Sequence, residues 1–91
     1  MAVWLFYSLQ GEKGEHQSRP NACQVAALSP DRVTLAEVMS SFTLRGTGSF
    51  HFRFQQEIDG QLMFVDVVDP AEAVPRVGSN IVARVLRLGA P

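Results

Sequence analysis

The strongest constraint on the fold is a hairpin pattern in the second half of the sequence. Residues 50–55 read Phe-His-Phe-Arg-Phe-Gln, a strict alternation of aromatic and polar side chains. Successive side chains of a strand point to opposite faces, so this pattern predicts phenylalanines in a core and polar residues outside it. The dipeptide Asp59-Gly60 is a strong turn signal, and a mostly apolar stretch over residues 61–68 follows it. The sequence therefore predicts an antiparallel hairpin with one buried face.

A short helix is predicted to begin at Thr34 and to end near Phe42. Thr34 can serve as the N-cap and Glu37 lies at position N3, the arrangement of a capping box. Val33 and Val38 are placed to form a hydrophobic staple around the same start. Apolar residues then recur at helical spacing, which predicts one buried stripe on the helix. That stripe consists of Leu35, Val38, Met39 and Phe42.

Three further strands complete the predicted order strand, strand, helix, strand, strand, strand. The first is apolar on both alternating faces, as in a central strand, and we expect its Trp4 and Phe6 to lie in the core. Pro70 and Pro75 make the segment before the last strand irregular. These strands lie over residues 3–9, 22–28 and 81–88, with a long polar loop over residues 10–21 and a glycine-rich turn over residues 45–48. The prediction is one α+β domain that spans residues 1–91.

Composition narrows the classes of function. The chain has 46% apolar residues and a net charge of −1, with basic and acidic residues spread along it. This balance lacks the basic footprint of a protein that binds nucleic acid or acidic membranes. The apolar run at the N-terminus is too short to span a bilayer, and it has neither the basic region nor the cleavage site of a signal peptide. We therefore expect a cytoplasmic protein that does not insert into membranes.

Residues that could support catalysis are sparse. Cys23 is the only cysteine, and no motif places His16 or His51 beside it. Residues 45–49 read Arg-Gly-Thr-Gly-Ser, which lacks the spacing of a phosphate-binding loop and precedes a strand. Paired carboxylates and metal-ligand spacings are also missing from the sequence. The expectation is that the chain is not an enzyme and holds no cofactor or metal.

Several stretches, in the same order and spacing, resemble the DIX domain of the Dishevelled and Axin proteins. They are residues 7–9 (Tyr-Ser-Leu), 32–38 (Arg-Val-Thr-Leu-Ala-Glu-Val), 50–54, 73–75 (Ala-Val-Pro), Gly78 and 81–85 (Ile-Val-Ala-Arg-Val). The chain departs from that family in its longer first loop, in Val38 where phenylalanine is frequent, in Ala22 near the position of an exposed aromatic residue, and in Phe64 near the position of a basic residue.

The resemblance implies a ubiquitin-like fold, a five-stranded mixed sheet with one helix. It also implies that the second strand of one molecule pairs with the fourth strand of the next. Such a head-to-tail contact does not close, and it builds a filament that can scaffold complexes in Wnt-type signalling or cell polarity. The implied partners are the chain itself and other DIX domains.

The fourth strand carries the first candidate surface. If Met63, Val65 and Val67 face the core, then Leu62, Phe64 and Asp66 face the other way, where a sheet normally carries polar residues. One interpretation is that they form half of an intermolecular contact. The other is that the loop over residues 10–20 or the C-terminal tail covers Leu62 and Phe64. Both remain open from the sequence.

The second strand carries the candidate partner surface: Ala22, Cys23, Gln24 and Val25. Its small side chains allow another backbone to approach closely, although an ordinary edge strand reads the same way. Arg19 could steer docking towards acids near the hairpin (Glu57, Asp59, Asp66), or these charges are simply solvated.

Two alternatives to a filament remain. The altered edge residues could cap a filament instead of extending it. The chain could also be a monomeric ubiquitin-like adaptor that binds one protein partner. A PB1-type contact is disfavoured, since that class uses a lysine on its first strand and residues 3–9 contain none.

Overall fold

The computed structural model describes residues 2–9, 21–42 and 49–88. The described residues form five strands and one helix in the predicted order. The elements are β1 (Ala2–Leu9), β2 (Asn21–Ala26), α1 (Leu35–Ser41), β3 (Ser49–Ile58), β4 (Gln61–Asp66) and β5 (Ile81–Leu88). The predicted loop over residues 10–20 and the predicted turn over residues 45–48 lie outside the described residues.

The strands form one mixed sheet in the order β2-β1-β5-β3-β4. The β1 and β5 strands run parallel, and every other neighbouring pair is antiparallel. With one helix on this sheet, the chain has the predicted ubiquitin-like α+β fold. The consequence for function is that β2 and β4 are the two outer strands.

Helix α1 begins at the predicted capping box. The Glu37 N–H donates to Thr34 Oγ1 over 3.3 Å, and the Thr34 N–H donates to Glu37 Oε1 over 2.9 Å. Two further N–H groups of the first turn donate hydrogen bonds to the irregular segment before β5. The Leu35 N–H donates to the Glu72 carbonyl and the Ala36 N–H to the Pro70 carbonyl, each over 3.0 Å. These bonds satisfy donors that a helix start leaves unpaired. They also fix α1 against the segment between β4 and β5.

The core lies between α1 and one face of the sheet. Aromatic rings join the layers: Phe42, which ends the helix, has its ring centroid 4.9 Å from that of Tyr7 and 5.1 Å from that of Phe52. Alternate residues of β1, β2, β3 and β5 are buried in this layer, as the pleat requires. The buried side chains are Val3, Leu5, Tyr7, Cys23, Val25, Val33, Leu35, Val38, Phe42, Phe52, Phe54, Val67, Val74, Ile81, Ala83 and Val85.

Three predicted core positions are wrong: Met39, Trp4 and Phe6. Met39 belongs to the predicted helix stripe but is 43% exposed, and Trp4 is 46% exposed. The reason for Trp4 is the alternation of β1: Val3, Leu5 and Tyr7 face the helix, so Trp4 and Phe6 lie on the other side of the sheet. That side, which we call the open face, is the face away from α1. Phe6 is half-buried there.

The predicted hairpin is confirmed, with β4 two residues shorter at its end than predicted. Asp59 and Gly60 have φ angles of 53° and 79°, the two positive values of a type I′ turn. Ile58 and Gln61 pair directly across this turn. The turn therefore fixes the register of β4 against β3.

Candidate functional site

The candidate site consists of the outer edges of β2 and β4. Each strand has a hydrogen-bonded neighbour on one side only within the described sheet. A strand with an open side presents backbone N–H and C=O groups that another chain can pair with. The question for each edge is which residues point their backbone outward.

On β4, the hairpin turn answers that question. In a two-residue hairpin the residues flanking the turn, here Ile58 and Gln61, exchange hydrogen bonds with each other. Outward and inward residues then alternate along the strand. The backbone groups of Leu62, Phe64 and Asp66 therefore point away from β3.

The side chains of these three residues lie on the open face. Phe64 pairs with Gln55 and Asp66 pairs with Arg53, whereas their neighbour Val65 pairs with the buried Phe54. Leu62 is 57% exposed and Phe64 is half-buried. Met63, predicted to face the core, lies on the helix side of the sheet but is 44% exposed, because it is close to the turn.

On β2, one hydrogen bond marks the outward direction. The Ala26 N–H donates to Ser41 Oγ of α1 over 3.2 Å, so it points away from β1. By alternation, Gln24 and Ala22 point their backbone outward too, and the side chains of all three small or polar residues lie exposed on the open face. This edge is therefore open at Ala22 and Gln24 and already occupied at the Ala26 N–H.

The other two predicted residues of β2 have a different role. Cys23 and Val25 are buried in the core, with exposures of 5% and 0%. Their side chains cannot touch a partner on the open face, and they hold the strand in place instead. The thiol of Cys23 is free and lies within this core.

An ionic cluster surrounds Asp66 on β4. His51 Nε2 lies 2.9 Å from Asp66 Oδ1, and Arg53 Nε lies 3.4 Å from the same oxygen. The hydrogen bond from His51 is the main cause that lowers the pKa of Asp66 below its usual value, and Arg53 adds to the effect. The sequence analysis placed His51 among the polar residues outside the core and gave it no partner. The available signal was that His51 and Asp66 lie on the same face of two neighbouring strands.

Aromatic side chains on the open face are the other feature that sequence reasoning misassigned. The rings of Trp4 and Phe6 stack with centroids 6.3 Å apart and an interplanar angle of 21°. Phe6 and Phe64 also line a shallow hollow of about 220 Å³, together with Val82 and Arg84. The open face therefore carries apolar side chains from β1 across to β4.

The structure describes the acidic side chains that were predicted to steer docking, but not the basic one. Glu57 and Asp59 are exposed at the hairpin end of the sheet, and Asp66 is held by His51 and Arg53. Arg19 lies outside the described residues.

The described residues also bear on metal binding and on membrane spanning. Within residues 2–9, 21–42 and 49–88, no group of three or more histidine, cysteine or acidic residues is placed to hold a metal ion. The helix that the structure describes is also too short and too polar to cross a bilayer.

The two predicted halves of the site stand at opposite ends of the sheet. Leu62, Phe64 and Asp66 come together on one edge, and Ala22 and Gln24 lie on the other, four strands away in the order of the sheet. A single molecule cannot bring them into contact. Whether a second molecule does so stays a prediction.

Comparison with known proteins shows the fold. No protein-family model matches the chain, and no curated protein sequence matches it significantly. Among solved structures, the SOSEKI polymerising domain of SOK4, solved as a point mutant, superposes with a TM-score of 0.74. The likeness covers 99% of this chain and 100% of that one at 16% sequence identity. This chain is thus similar in fold to a polymerising domain.

Proposed function

We propose that this chain is a self-association module that forms head-to-tail filaments, with β2 of one molecule paired to β4 of the next. The observation that carries the proposal is the relation between the two outer strands. Following the pairing directions through the sheet, β1, β5 and β4 run one way and β2 and β3 run the other. A copy shifted sideways, with no reversal, therefore sets its β4 antiparallel to β2 of the first molecule.

The side chains support the same arrangement. Residues with outward backbone groups on both edges carry their side chains on the open face, so a shifted copy continues the sheet with its helix on the matching side. Such a contact satisfies backbone groups on both edges, which is β-strand addition between identical chains. Because it uses different surfaces on the two molecules, it leaves one free edge at each end and can repeat.

The proposed role is scaffolding by avidity. Repeated weak contacts raise the local concentration of whatever is attached to each subunit. The likeness to a polymerising domain supports self-association in general. The proposed setting is signalling or cell polarity, with other DIX-type domains as further partners, and it rests on the sequence resemblance. The proposed location is the cytoplasm, as expected from the sequence.

The test uses one disabled edge at a time. Phe64→Asp places a charge on the β4 edge, and Gln24→Pro removes an outward N–H from β2 while leaving the ladder to β1 intact. In sedimentation velocity over a wide concentration range, the wild type should give a coefficient that rises without a plateau, and each variant alone should stay monomeric.

Mixing the two variants distinguishes head-to-tail assembly from other modes. Each retains the edge that the other lacks, so an equimolar mixture should form a 1:1 dimer and nothing larger. Gln24→Ala, which keeps the backbone N–H, is the matched control and should assemble like the wild type. A wild type that is monomeric at every concentration would contradict the proposal and favour the adaptor function instead.

A further inference from the structure

The registers of the sheet place Ala22 and Phe64 at opposite ends of one row of side chains that crosses the strands. Ala22 pairs with Phe6, and Phe6 pairs with Val82. Ala83 pairs with Phe54, and the next position of that antiparallel register sets Val82 beside Gln55. Gln55 in turn pairs with Phe64. The row thus begins with the smallest side chain and ends with an aromatic one.

We propose that Phe64 of one molecule lies over Ala22 of the next and packs against the Trp4–Phe6 pair behind it. The inference rests on the proposed head-to-tail function and adds its register and its anchor. A copy displaced along the row, with no slip along the strands, brings Phe64 opposite Ala22. The same register sets Leu62 opposite Gln24.

Side-chain size supports this occupant. Neighbouring strands lie about 5 Å apart, so Phe6 and an incoming Phe64 are separated by about 10 Å of backbone with only a methyl group between them. Two aromatic side chains can meet across that gap, and a larger residue at position 22 would fill it. The small side chain of Ala22 therefore leaves room on β2 for the aromatic side chain of a second copy.

The outward backbone groups agree with the register. Ser41 Oγ already accepts the Ala26 N–H, which leaves Ala22 and Gln24 as the outward residues of β2 ahead of it. In the proposed register these two face Phe64 and Leu62, both of which also point their backbone outward. The apolar open face then runs on from one subunit to the next.

A size swap tests the register. Ala22→Phe should weaken self-association more than about tenfold, because two aromatic residues then compete for one space. Adding Phe64→Ala should restore association to within about threefold of the wild type. The matched control, Gln24→Phe with Phe64→Ala, should not recover. Recovery by the control instead of by the position-22 swap would overturn the register.

Phe6→Ala tests the anchor and should weaken association about 3- to 10-fold, as expected for the loss of an aromatic pair. Leu88→Ala, an exposed apolar residue at the far end of β5, should leave association unchanged. Equal effects of Phe6→Ala and Leu88→Ala would refute the anchor.

Failure of this register and failure of the proposed function give different results. If the wild type assembles and Phe64→Asp abolishes assembly, but Ala22→Phe has no effect, the head-to-tail contact stands and the proposed packing of Phe64 beside Ala22 is wrong. Because Ala22→Phe keeps an intact β4 edge, small amounts of it should also shorten wild-type assemblies. This second measurement, with thermal melting to confirm folding, keeps the test valid when the variant alone is monomeric.

Discussion

Leu62 and Met63 are adjacent on β4 and similar in size, yet the proposed contact makes them unequal. Leu62 lies on the open face with its backbone pointing outward, whereas Met63 lies on the helix side with its backbone turned to β3. Their exposures in the single molecule are comparable, 57% and 44%. Replacing each by alanine therefore removes a similar amount of apolar surface from two different places.

The expected difference follows from burial. Fully burying a leucine side chain is worth about 1.5–3 kcal/mol, and about half of that remains to be gained when half of the side chain is still exposed. Leu62→Ala should thus weaken each intermolecular contact by about 0.75–1.5 kcal/mol, which is about 4- to 12-fold in the association constant. Met63→Ala should change association by less than about twofold.

Sedimentation velocity over matched concentration series measures both effects, and chemical denaturation of dilute samples checks that each variant folds. The plot of sedimentation coefficient against concentration should shift to higher concentration by the stated factor for Leu62→Ala. The plot for Met63→Ala should coincide with that of the wild type. Equal shifts for the two variants would refute the assignment of the open-face edge to the contact.

Three further predictions concern the single molecule. Thr34→Ala removes the side-chain half of the capping box and should cost about 1 kcal/mol, or roughly 4–8 °C in melting temperature, while Thr34→Ser should retain most of it; an unchanged melting curve would count against the cap. NMR titration should find the pKa of Asp66 below its usual value, and His51→Gln should raise that pKa. A lowered carboxyl pKa stabilises the folded state at any pH above the usual pKa, and this stabilisation is lost as the pH falls through the lowered pKa of the folded state. Phe54→Ala should cost about 3–5 kcal/mol in urea denaturation, because the residue is fully buried, and a cost under about 1 kcal/mol would contradict the described core.

Local patterns predicted most of the fold. The aromatic alternation, the Asp59-Gly60 turn and the Thr34 capping box each have a short-range physical cause, and each is present in the structure. Strand order was not readable from these patterns, because it depends on which strands pair across the sheet. The resemblance to DIX domains supplied the ubiquitin-like arrangement and named the second and fourth strands as the pairing edges, but the order of the strands came from the structure.

The errors arose where a face had to be assigned without knowing what covers it. An apolar β1 was read as buried on both sides, but the one described helix covers only the side with Val3, Leu5 and Tyr7, so Trp4 remained exposed. Likewise, the ion pair of His51 with Asp66 depends on the β3–β4 register, which the hairpin turn sets and composition does not reveal.

The hydrogen bond from Ala26 to Ser41 has a kinetic consequence for the proposed assembly. It removes one outward donor from β2, so an incoming strand forms only a short ladder ahead of that point. Differences in affinity between related complexes appear mainly in their dissociation rates, and a short ladder dissociates quickly. In such an assembly subunits exchange readily and dilution dissolves the filament. In the proposed register the Ala26 N–H would face Gly60 of the hairpin turn, so the end of β4 and the Ser41 hydroxyl of α1 together limit the ladder and the residence time of each neighbour.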